Sequence, residues 1–338
     1  MLNTVYRLTQ PRKIEIAFDE IDLFGDSIIV RPTYLSICNA DQRYFQGKRD
    51  LAVLRKKLPM ALIHEACGVV VSDSTGTFQK GQTVVMIPNT PVGKDEVVYE
   101  NYAEGSYFLS SGHDGFMREF VDLAPDRVVA FDGINERVAA ITEFVSVAVH
   151  ATTRFDRAAH SRRDVIGVWG DGSLAYVVAC VLRRRFPQSK IVVIGMDPAK
   201  LSLFTFADAA YHKDSLPADF KVDHAFECCG GDGSYYAIDA IIQKIRPQGT
   251  VTLMGVTENK VPINTRDILE KGLTFVGSSR SGREDFELAV ELMKNKRLQE
   301  RLLLIIREAQ PVRSIDDLSR VMYTDMTNPF KTVFEWKL

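Results

Sequence analysis

Val165-Ile166-Gly167-Val168-Trp169-Gly170-Asp171-Gly172-Ser173-Leu174-Ala175 is the stretch that decides the fold. An apolar run leads into a glycine-rich turn, and the turn leads into a helical pattern that extends to Arg185. A second apolar run, residues 190–194, follows the helix. Strand, turn, helix and strand in this order predict a parallel sheet with crossover helices. Glycines at the turn would let a dinucleotide pyrophosphate approach the backbone, so the turn is a candidate nucleotide site.

Outside this stretch the chain has two different patterns. From about residue 152 the alternation of strands and helices continues, whereas residues 1–151 consist of short β-branched runs broken by turn residues, which predict a compact β-rich domain. Further elements are predicted at residues 222–227, 249–255, 273–277 and 284–296, in a helix capped by Ser314, and at residues 330–336. The chain is therefore predicted to be an α/β protein of two domains.

Composition excludes several classes of partner. The 338 residues carry a formal net charge of -2, which gives no electrostatic reason to expect binding to nucleic acid or to an anionic membrane. No apolar stretch approaches the roughly 20 residues of a membrane span, and the N-terminus lacks a signal-peptide pattern, so we expect a cytoplasmic protein. The five cysteines are scattered and show no C-x-x-C spacing, which argues against a disulfide framework.

Four residues could supply the ligands of a catalytic metal. Cys38, the pair His64-Glu65 and Glu143 offer one thiolate, one imidazole and two carboxylates. Catalytic zinc sites mix ligand types in this way and leave a position for water or substrate. By itself a His-Glu pair is more often an ordinary surface or core pair than a metal site.

Longer motifs around these residues resemble the zinc-dependent medium-chain alcohol dehydrogenases over nearly the whole chain. The motifs are Cys38-Asn39-Ala40-Asp41, Ile63-His64-Glu65-Ala66-Cys67-Gly68, Lys80-Gly81-Gln82-Thr83-Val84, Asp114-Gly115-Phe116-Met117-Arg118-Glu119-Phe120 and the stretch from Glu143 to His150. Glu143 in place of a cysteine is similar to the polyol, sorbitol-type branch. The strings at residues 41–50, 170–175, 226–233 and 277–283 resemble the ribulose-5-phosphate reductases, also called ribitol-5-phosphate dehydrogenases.

The resemblance implies a fold and an activity. The fold would combine a doubly wound Rossmann domain at residues 152–278 with a GroES-like catalytic domain formed by residues 1–151 and 279–338. The activity would be NADPH-dependent reduction of D-ribulose 5-phosphate to D-ribitol 5-phosphate at zinc, supplying CDP-ribitol for a teichoic acid or capsule type of surface polymer. A homodimer and functional pairing with a ribitol-phosphate cytidylyltransferase are also implied.

The family pattern assigns the zinc to Cys38, His64 and Glu143, with Glu65 either an intermittent ligand or a group beside the ligands. Residues 89–110 contain no cysteine, so the second, structural zinc of many relatives is expected to be absent. Ala40 stands where relatives commonly have a proton-relaying hydroxyl. Tyr44, Glu65 or ordered water would then have to carry the proton.

The candidate cofactor residues lie in the glycine-rich turn and near the end of the second strand, and the candidate substrate residues are cations. The cofactor set is Gly170, Asp171, Gly172, Ser173, Leu174, Gly195 and Lys200. Gly195 replaces the acidic residue that usually reads the ribose in NAD sites, which favours NADP(H). The candidate phosphate-binding cations are Arg280 first, then Arg43, Lys48 and Arg49, with Arg118 and Lys331 weaker.

Two other functions stay open. One is an NAD-dependent zinc polyol dehydrogenase acting on an unphosphorylated sugar alcohol. The other is a nucleotide-binding protein on the same fold that has lost catalysis, since a fold never guarantees a function.

Overall fold

The structure is a computed structural model that describes residues 1–338 and divides them into two units. The first unit contains Met1–Ser146 and Ser281–Leu338, and the second contains Val147–Arg280. The predicted domain boundaries lie at 151/152 and 278/279. The first unit is thus discontinuous in sequence, and the second unit is inserted into it.

The N-terminal part of the first unit is rich in strands. Its strands are β1 (Leu2–Gln10), β2 (Lys13–Glu20), β3 (Ile28–Ile37), β4 (Met60–Ala61), β5 (Glu65–Asp73), β6 (Thr83–Met86), β7 (Asn89–Thr90), β8 (Tyr107–Phe108), β9 (Val121–Leu123) and β10 (Val128–Ala130). Its helices are α1 (Asn39–Phe45), α2 (Leu51–Lys57), α3 (Glu136–Ala139) and α4 (Thr142–Ala158), the last of which crosses the boundary at Ser146.

The second unit alternates strands and helices. Its strands are β11 (Val165–Trp169), β12 (Lys190–Gly195), β13 (Ala209–His212), β14 (His224–Glu227), β15 (Thr250–Leu253) and β16 (Thr274–Gly277). Its helices are α5 (Ser173–Arg185), α6 (Pro198–Leu201), α7 (Gly233–Lys244) and α8 (Thr265–Lys271). The C-terminal part of the first unit then contributes α9 (Arg283–Met293), α10 (Lys296–Leu304), β17 (Ile306–Glu308), α11 (Ile315–Asp325) and β18 (Lys331–Glu335).

The second unit holds one six-stranded sheet in which every pairing is parallel. Its order is β13-β12-β11-β14-β15-β16. Numbered within the sheet this is 3-2-1-4-5-6, the order of dinucleotide-binding folds, in which ligands bind at the carboxyl edge beside the first strand. The predicted parallel sheet is confirmed. Strands β11 and β12 are largely buried apolar runs, as expected for strands covered on both faces.

The first unit is organised around β3. This strand pairs antiparallel with β5, with β9 and with the C-terminal strand β18, within a sheet of order β10-β6-β5-β3-β18-β17. Three large aromatic side chains without solvent exposure, Phe45, Phe116 and Phe334, belong to one hydrophobic core that draws on both parts of the unit. The returning C-terminal segment is therefore structurally integral to the N-terminal one.

One local prediction differs from the structure. The helical stretch at 284–296 belongs to two helices, α9 and α10, because the side chain of Asn295 accepts a hydrogen bond from Leu298 N and caps a new helix. The segment from Asn89 to Phe108 begins and ends with the paired strands β7 and β8. No helix combines the length and apolarity needed to cross a bilayer.

Stability of the second unit is expected to depend on pH through His224. Burial, reinforced by repulsion from His160, lowers the pKa of His224 to about 4 from its ordinary 6.5. Its Nδ1 accepts from Thr250 N while Nε2 lies 3.0 Å from Arg162 O, so the neutral ring satisfies both neighbours. Because the unfolded chain takes up the proton first, stability is complete above pH 6.5 and falls as the pH drops towards 4.

Between pH 7 and pH 5 we expect a loss of about 2 kcal/mol in the free energy of unfolding from this group. Replacement His224→Gln keeps a donor and an acceptor but cannot titrate, so its loss over the same interval should be smaller. Denaturant unfolding of both proteins at the two pH values measures the difference. An equal loss in the variant would contradict the assignment.

Candidate functional site

Three of the predicted metal-binding residues come together in the first unit. One ligand atom from each of Cys38, His64 and Glu65 lies within 4.8 Å of the others. Cys38 follows β3 and is the N-cap of α1, while Glu65 is the first residue of β5 and His64 directly precedes it. The antiparallel register, which pairs Ser36 with Glu65, brings these segments side by side.

Asp41 fastens the segments that carry these residues. Its Oδ2 accepts from Cys38 N at 3.0 Å, and its Oδ1 accepts from Ile63 N at 2.9 Å and from Ser110 Oγ at 2.7 Å. The same Oδ1 is 3.5 Å from His64 Nδ1. Asp41 is fully buried, so these partners must replace its hydration. A carboxylate on one imidazole nitrogen orients the ring and leaves the other nitrogen for a metal.

The surroundings of Asp41 and His64 favour the charged form of each side chain. Burial opposes ionisation of Asp41, but the attraction and hydrogen bond of His64 outweigh it and hold the pKa of Asp41 below its ordinary value. Burial likewise opposes protonation of His64, yet Asp41 and Cys38 raise the pKa of the imidazole well above 6.5. The site thus attracts positive charge, as a cation-binding site requires.

Ile63 holds an unusual backbone conformation immediately before His64. Its φ of 68° is in the left-handed region, where a β-branched residue is strained by about 1–3 kcal/mol. Both of its backbone groups are bound, since Asp41 accepts from its N–H and Phe116 N donates to its carbonyl at 2.7 Å. A Cβ on Gly115 would lie 2.3 Å from that carbonyl oxygen, so glycine is required there. This strained conformation changes the direction of the backbone immediately before His64.

Glu65 is held through only one of its oxygens. Lys331 Nζ donates to Glu65 Oε1 at 2.6 Å and to Ile37 O at 2.8 Å, and it lies 4.8 Å from the centroid of the Phe144 ring. Glu65 Oε2 is buried without a hydrogen-bond partner within the protein. A buried carboxylate oxygen left in this state, beside a thiol and an imidazole, fits a metal ligand.

Glu143 lies near this group without joining it. It is the second residue of α4 and is buried. Burial raises its pKa to about 7, against the attraction of His64 and with further repulsion from Glu65. Its charge therefore interacts with the same cluster, although its oxygens are outside the group of three ligand atoms.

The remaining candidates of the first unit have varied surroundings. Tyr44 is 2% exposed, with the Arg49 guanidinium 5.0 Å from its ring centroid. Burial and repulsion from Arg49 lower the pKa of Arg43, so the two guanidinium groups are neighbours. Lys48 is exposed and its backbone N donates to Arg43 O at 2.8 Å. Arg43 and Arg49 are therefore neighbouring cations at the end of α1, and Lys48 is joined to Arg43 through the backbone.

Arg118 and Lys331 do not support the weaker phosphate-binding assignments. Arg118 is buried and its Nε donates to Gly115 O at 2.9 Å. Lys331 is bound to Glu65 as described. Both cations already have partners within the first unit, as buried charges require, since an unpaired buried charge would be costly.

The glycine-rich turn of the second unit has room for a phosphate. Gly170 has a φ of +131°, and a Cβ there would lie 3.1 Å from Cys228 O. A Cβ on Gly172, in contrast, would meet no atom within 4 Å. Gly172 caps the 13-residue helix α5 without a side-chain hydrogen bond, so Ser173 and Leu174 begin the helix with backbone N–H groups that have no side-chain cap. An uncapped helix N-terminus beside open space fits a pyrophosphate.

Asp171 and Gly195 occupy one place together. Asp171 Oδ2 accepts from Met196 N at 2.6 Å and from Asp197 N at 2.8 Å. A Cβ on Gly195 would lie 2.7 Å from that same oxygen. Asp171 therefore places a carboxylate beside Gly195, at the end of the second strand of the sheet. Lys200 follows in α6, whose N-cap is Asp197.

Arg280 is the last residue of the second unit and has a φ of 58°, the left-handed conformation. Non-glycine residues in this region cluster at functional sites.

Asp41 and the role of Lys331 were missed by reasoning from sequence. For Asp41 a local signal existed. It is the third residue after Cys38, the N-cap of α1, and an acidic residue at that position is typical of a capping box. Its carboxylate does accept from Cys38 N. Lys331 gave no signal, since its partner Glu65 is 266 residues away.

The chain matches two protein-family models, several known proteins and solved structures. A model of the alcohol dehydrogenase GroES-like domain matches residues 25–133, and a zinc-binding dehydrogenase model matches residues 207–295. The chain is 56% identical to the ribulose-5-phosphate reductase of Streptococcus pneumoniae, covering 100% of this chain and 98% of the relative. It is 48% identical to that of Bacillus spizizenii, with 100% of both chains covered. The crystal structure of Staphylococcus aureus TarJ in complex with NADPH superposes with a TM-score of 0.90 at 42% identity, with 100% of both chains covered.

We expect Asp41→Asn to weaken zinc binding by about 10- to 100-fold, because the amide neither orients nor charges His64 as the carboxylate does. Competition with a chromogenic chelator measures the affinity. The matched control is Asp19→Asn in the same unit, whose carboxylate is 52% exposed and pairs with Arg7. Zinc affinity that stays equal in both variants would rule out this role for Asp41.

Proposed function

The chain belongs to the zinc-binding alcohol dehydrogenases with a GroES-like domain, and within them to the ribulose-5-phosphate reductase family, and we propose that it reduces D-ribulose 5-phosphate to D-ribitol 5-phosphate with NADPH. The observation that carries the proposal is the meeting of Cys38, His64 and Glu65, with one carboxylate oxygen unpartnered, in a chain that matches those reductases along its full length. A site retained in this form argues against a non-catalytic nucleotide-binding protein.

One zinc ion would be held by Cys38, His64 and Glu143, with Glu65 either a ligand in turn or the group beside it. No second, structural zinc is part of the proposal. Bound at these residues, zinc would supply a Lewis acid for the C2 carbonyl of the ketose phosphate, and NADPH would supply the hydride.

The protein's own residues prepare this chemistry. Asp41 fixes the ring of His64, and Lys331 fixes one oxygen of Glu65 while the other has no hydrogen-bond partner within the protein. Ala40 has no hydroxyl with which to move a proton. The proton that completes the alcohol would reach the substrate oxygen through Tyr44 or ordered water, with Glu65 the remaining alternative.

The nicotinamide dinucleotide would bind to the second unit. Its pyrophosphate would lie at Gly170, Gly172, Ser173 and Leu174, where the backbone is open and α5 begins. Asp171, Gly195 and Lys200 would meet the adenosine ribose. The relative from Staphylococcus aureus, solved with NADPH, supports NADP(H) as the cofactor.

The substrate phosphate requires fixed cations. Arg280, Arg43 and Lys48 are the proposed ligands, with Arg49 beside Arg43. A phosphate ester carries about -1.5 to -2 charges at neutral pH, which two neighbouring guanidinium groups would stabilise and which would in turn relieve their mutual repulsion.

Further parts of the proposal concern partners. A homodimer is proposed, as is functional pairing with a ribitol-phosphate cytidylyltransferase that would convert the product to CDP-ribitol for a surface polymer of the teichoic acid or capsule type.

The direct test is NADPH oxidation with ribulose 5-phosphate, run beside xylulose 5-phosphate and unphosphorylated ribulose, before and after chelation. We expect turnover with ribulose 5-phosphate, its loss on chelation and its recovery with zinc. Preference for NADH with an unphosphorylated sugar would favour the polyol dehydrogenase instead. Absence of both zinc and turnover would favour a binding protein.

The phosphate assignment makes a separate prediction. Replacement Arg43→Gln should raise KM for ribulose 5-phosphate by about tenfold, because one charge-assisted contact is lost, and should leave the weak turnover of ribulose unchanged. The control is Arg55→Gln on the exposed face of α2. Equal KM values for wild type and Arg43→Gln would exclude Arg43 from phosphate binding.

A further inference from the structure

We infer that Asp171 takes the place of the acidic residue that usually ends the second strand of an NAD site, and thereby limits the preference of this site for NADPH over NADH. The inference rests on the proposed function, since it concerns the nucleotide of that reaction. It assigns to the turn a specificity-determining residue in addition to its pyrophosphate-binding backbone.

The position of the carboxylate follows from the sheet. Strands β11 and β12 are parallel neighbours, so the turn after β11 and the residues after β12 lie at the same carboxyl edge. Asp171 reaches across this edge and its Oδ2 accepts from the N–H groups of Met196 and Asp197, at 2.6 and 2.8 Å. In dinucleotide-binding sheets this is the place where the adenosine ribose is read.

Asp171 leaves no room for a side chain at residue 195. A Cβ at residue 195 would lie 2.7 Å from both Cβ and Oδ2 of Asp171, and 2.9 Å from Leu201 Cδ2. Real Cβ atoms do not approach so closely. The missing side chain at 195 and the carboxylate at 171 are thus two halves of one arrangement, in which the acid is supplied from the neighbouring strand's turn.

The carboxylate retains an acceptor for the nucleotide. Both hydrogen bonds of Asp171 use Oδ2, and the residue is partly exposed. Oδ1 can accept from a hydroxyl of the adenosine ribose, which has two in NADH and only the 3'-hydroxyl in NADPH. In NADPH the 2'-oxygen carries a phosphate of about -1.5 to -2 charges, which this carboxylate repels. Asp171 therefore favours NADH relative to a site without its charge.

Two substitutions separate this role from a structural one. Asp171→Asn keeps a side-chain oxygen that can accept from Met196 N and Asp197 N, but it removes the charge. Asp171→Ala removes both, so it should also loosen the turn after β12. Asp239→Asn, on α7, removes the same charge elsewhere in the unit, where Asp239 accepts only from Gln243 on the same helix.

The experiment measures dissociation constants of the zinc-loaded protein for NADPH and NADH by nicotinamide fluorescence, without sugar substrate. Displacement by 2',5'-ADP and by 5'-AMP isolates the adenosine end. We expect Asp171→Asn to shift the ratio of the two dissociation constants by about tenfold towards NADPH, and to tighten 2',5'-ADP relative to 5'-AMP. Asp239→Asn should leave both ratios at the wild-type value, and the melting temperature of Asp171→Asn should stay near that of wild type.

An unchanged ratio in Asp171→Asn, or a shift towards NADH, would overturn the inference. A shift of the same size in Asp239→Asn would also overturn it, because net charge alone would then explain the result. Failure of the proposed function has a different signature, namely wild-type protein that turns over no ketose phosphate while these ratios remain measurable.

Discussion

The buried carboxylate of Asp41 is the interaction on which the candidate active site depends. It binds the backbone of Cys38, the backbone of Ile63 and the hydroxyl of Ser110, and it faces the ring of His64. Burying a charge in this way is unfavourable unless hydrogen bonds and an opposite charge replace the lost water. Asp41 has both, and the three segments it joins cannot separate without exposing it unpaired. The same bonds keep Ile63 in its strained conformation, which no local preference would maintain.

A second buried charge pair connects the two ends of the first unit. Lys331 belongs to β18, whose pairing with β3 brings the C-terminal segment back to the first strands of the chain. There it meets Glu65, and breaking such a pair by removing one partner costs about 3–5 kcal/mol. The candidate site in the first unit therefore requires the C-terminal segment, because without Lys331 the side chain of Glu65 would be an uncompensated buried carboxylate.

The glycine-rich turn of the second unit, residues 170–172, also contains a carboxylate that binds backbone groups, that of Asp171. Three glycines at this edge of the sheet serve different purposes: Gly170 lets the turn pass close to Cys228, Gly172 leaves space in front of α5, and Gly195 at the end of β12 makes room for Asp171. The carboxylate of Asp171 thereby holds the residues after β12 through two backbone hydrogen bonds. Where the first unit concentrates charge to hold a cation, the second offers the uncapped backbone N–H groups at the start of α5 and, beside them, the fixed carboxylate of Asp171.

The sequence by itself determined the parallel sheet, the turn between Trp169 and Ser173, the helix that follows and the capped helix at Ser314, because apolar periodicity, glycine placement and capping residues act within a few positions of one another. It also singled out Cys38, His64 and Glu65 through their surrounding motifs. Only the tertiary structure decided that Asp41 fastens the ligand segments, that Lys331 holds Glu65, and that Asp171 fills the space left by Gly195. Each of these depends on the register between strands that are distant in sequence, and no local pattern encodes which side chains that register brings into contact.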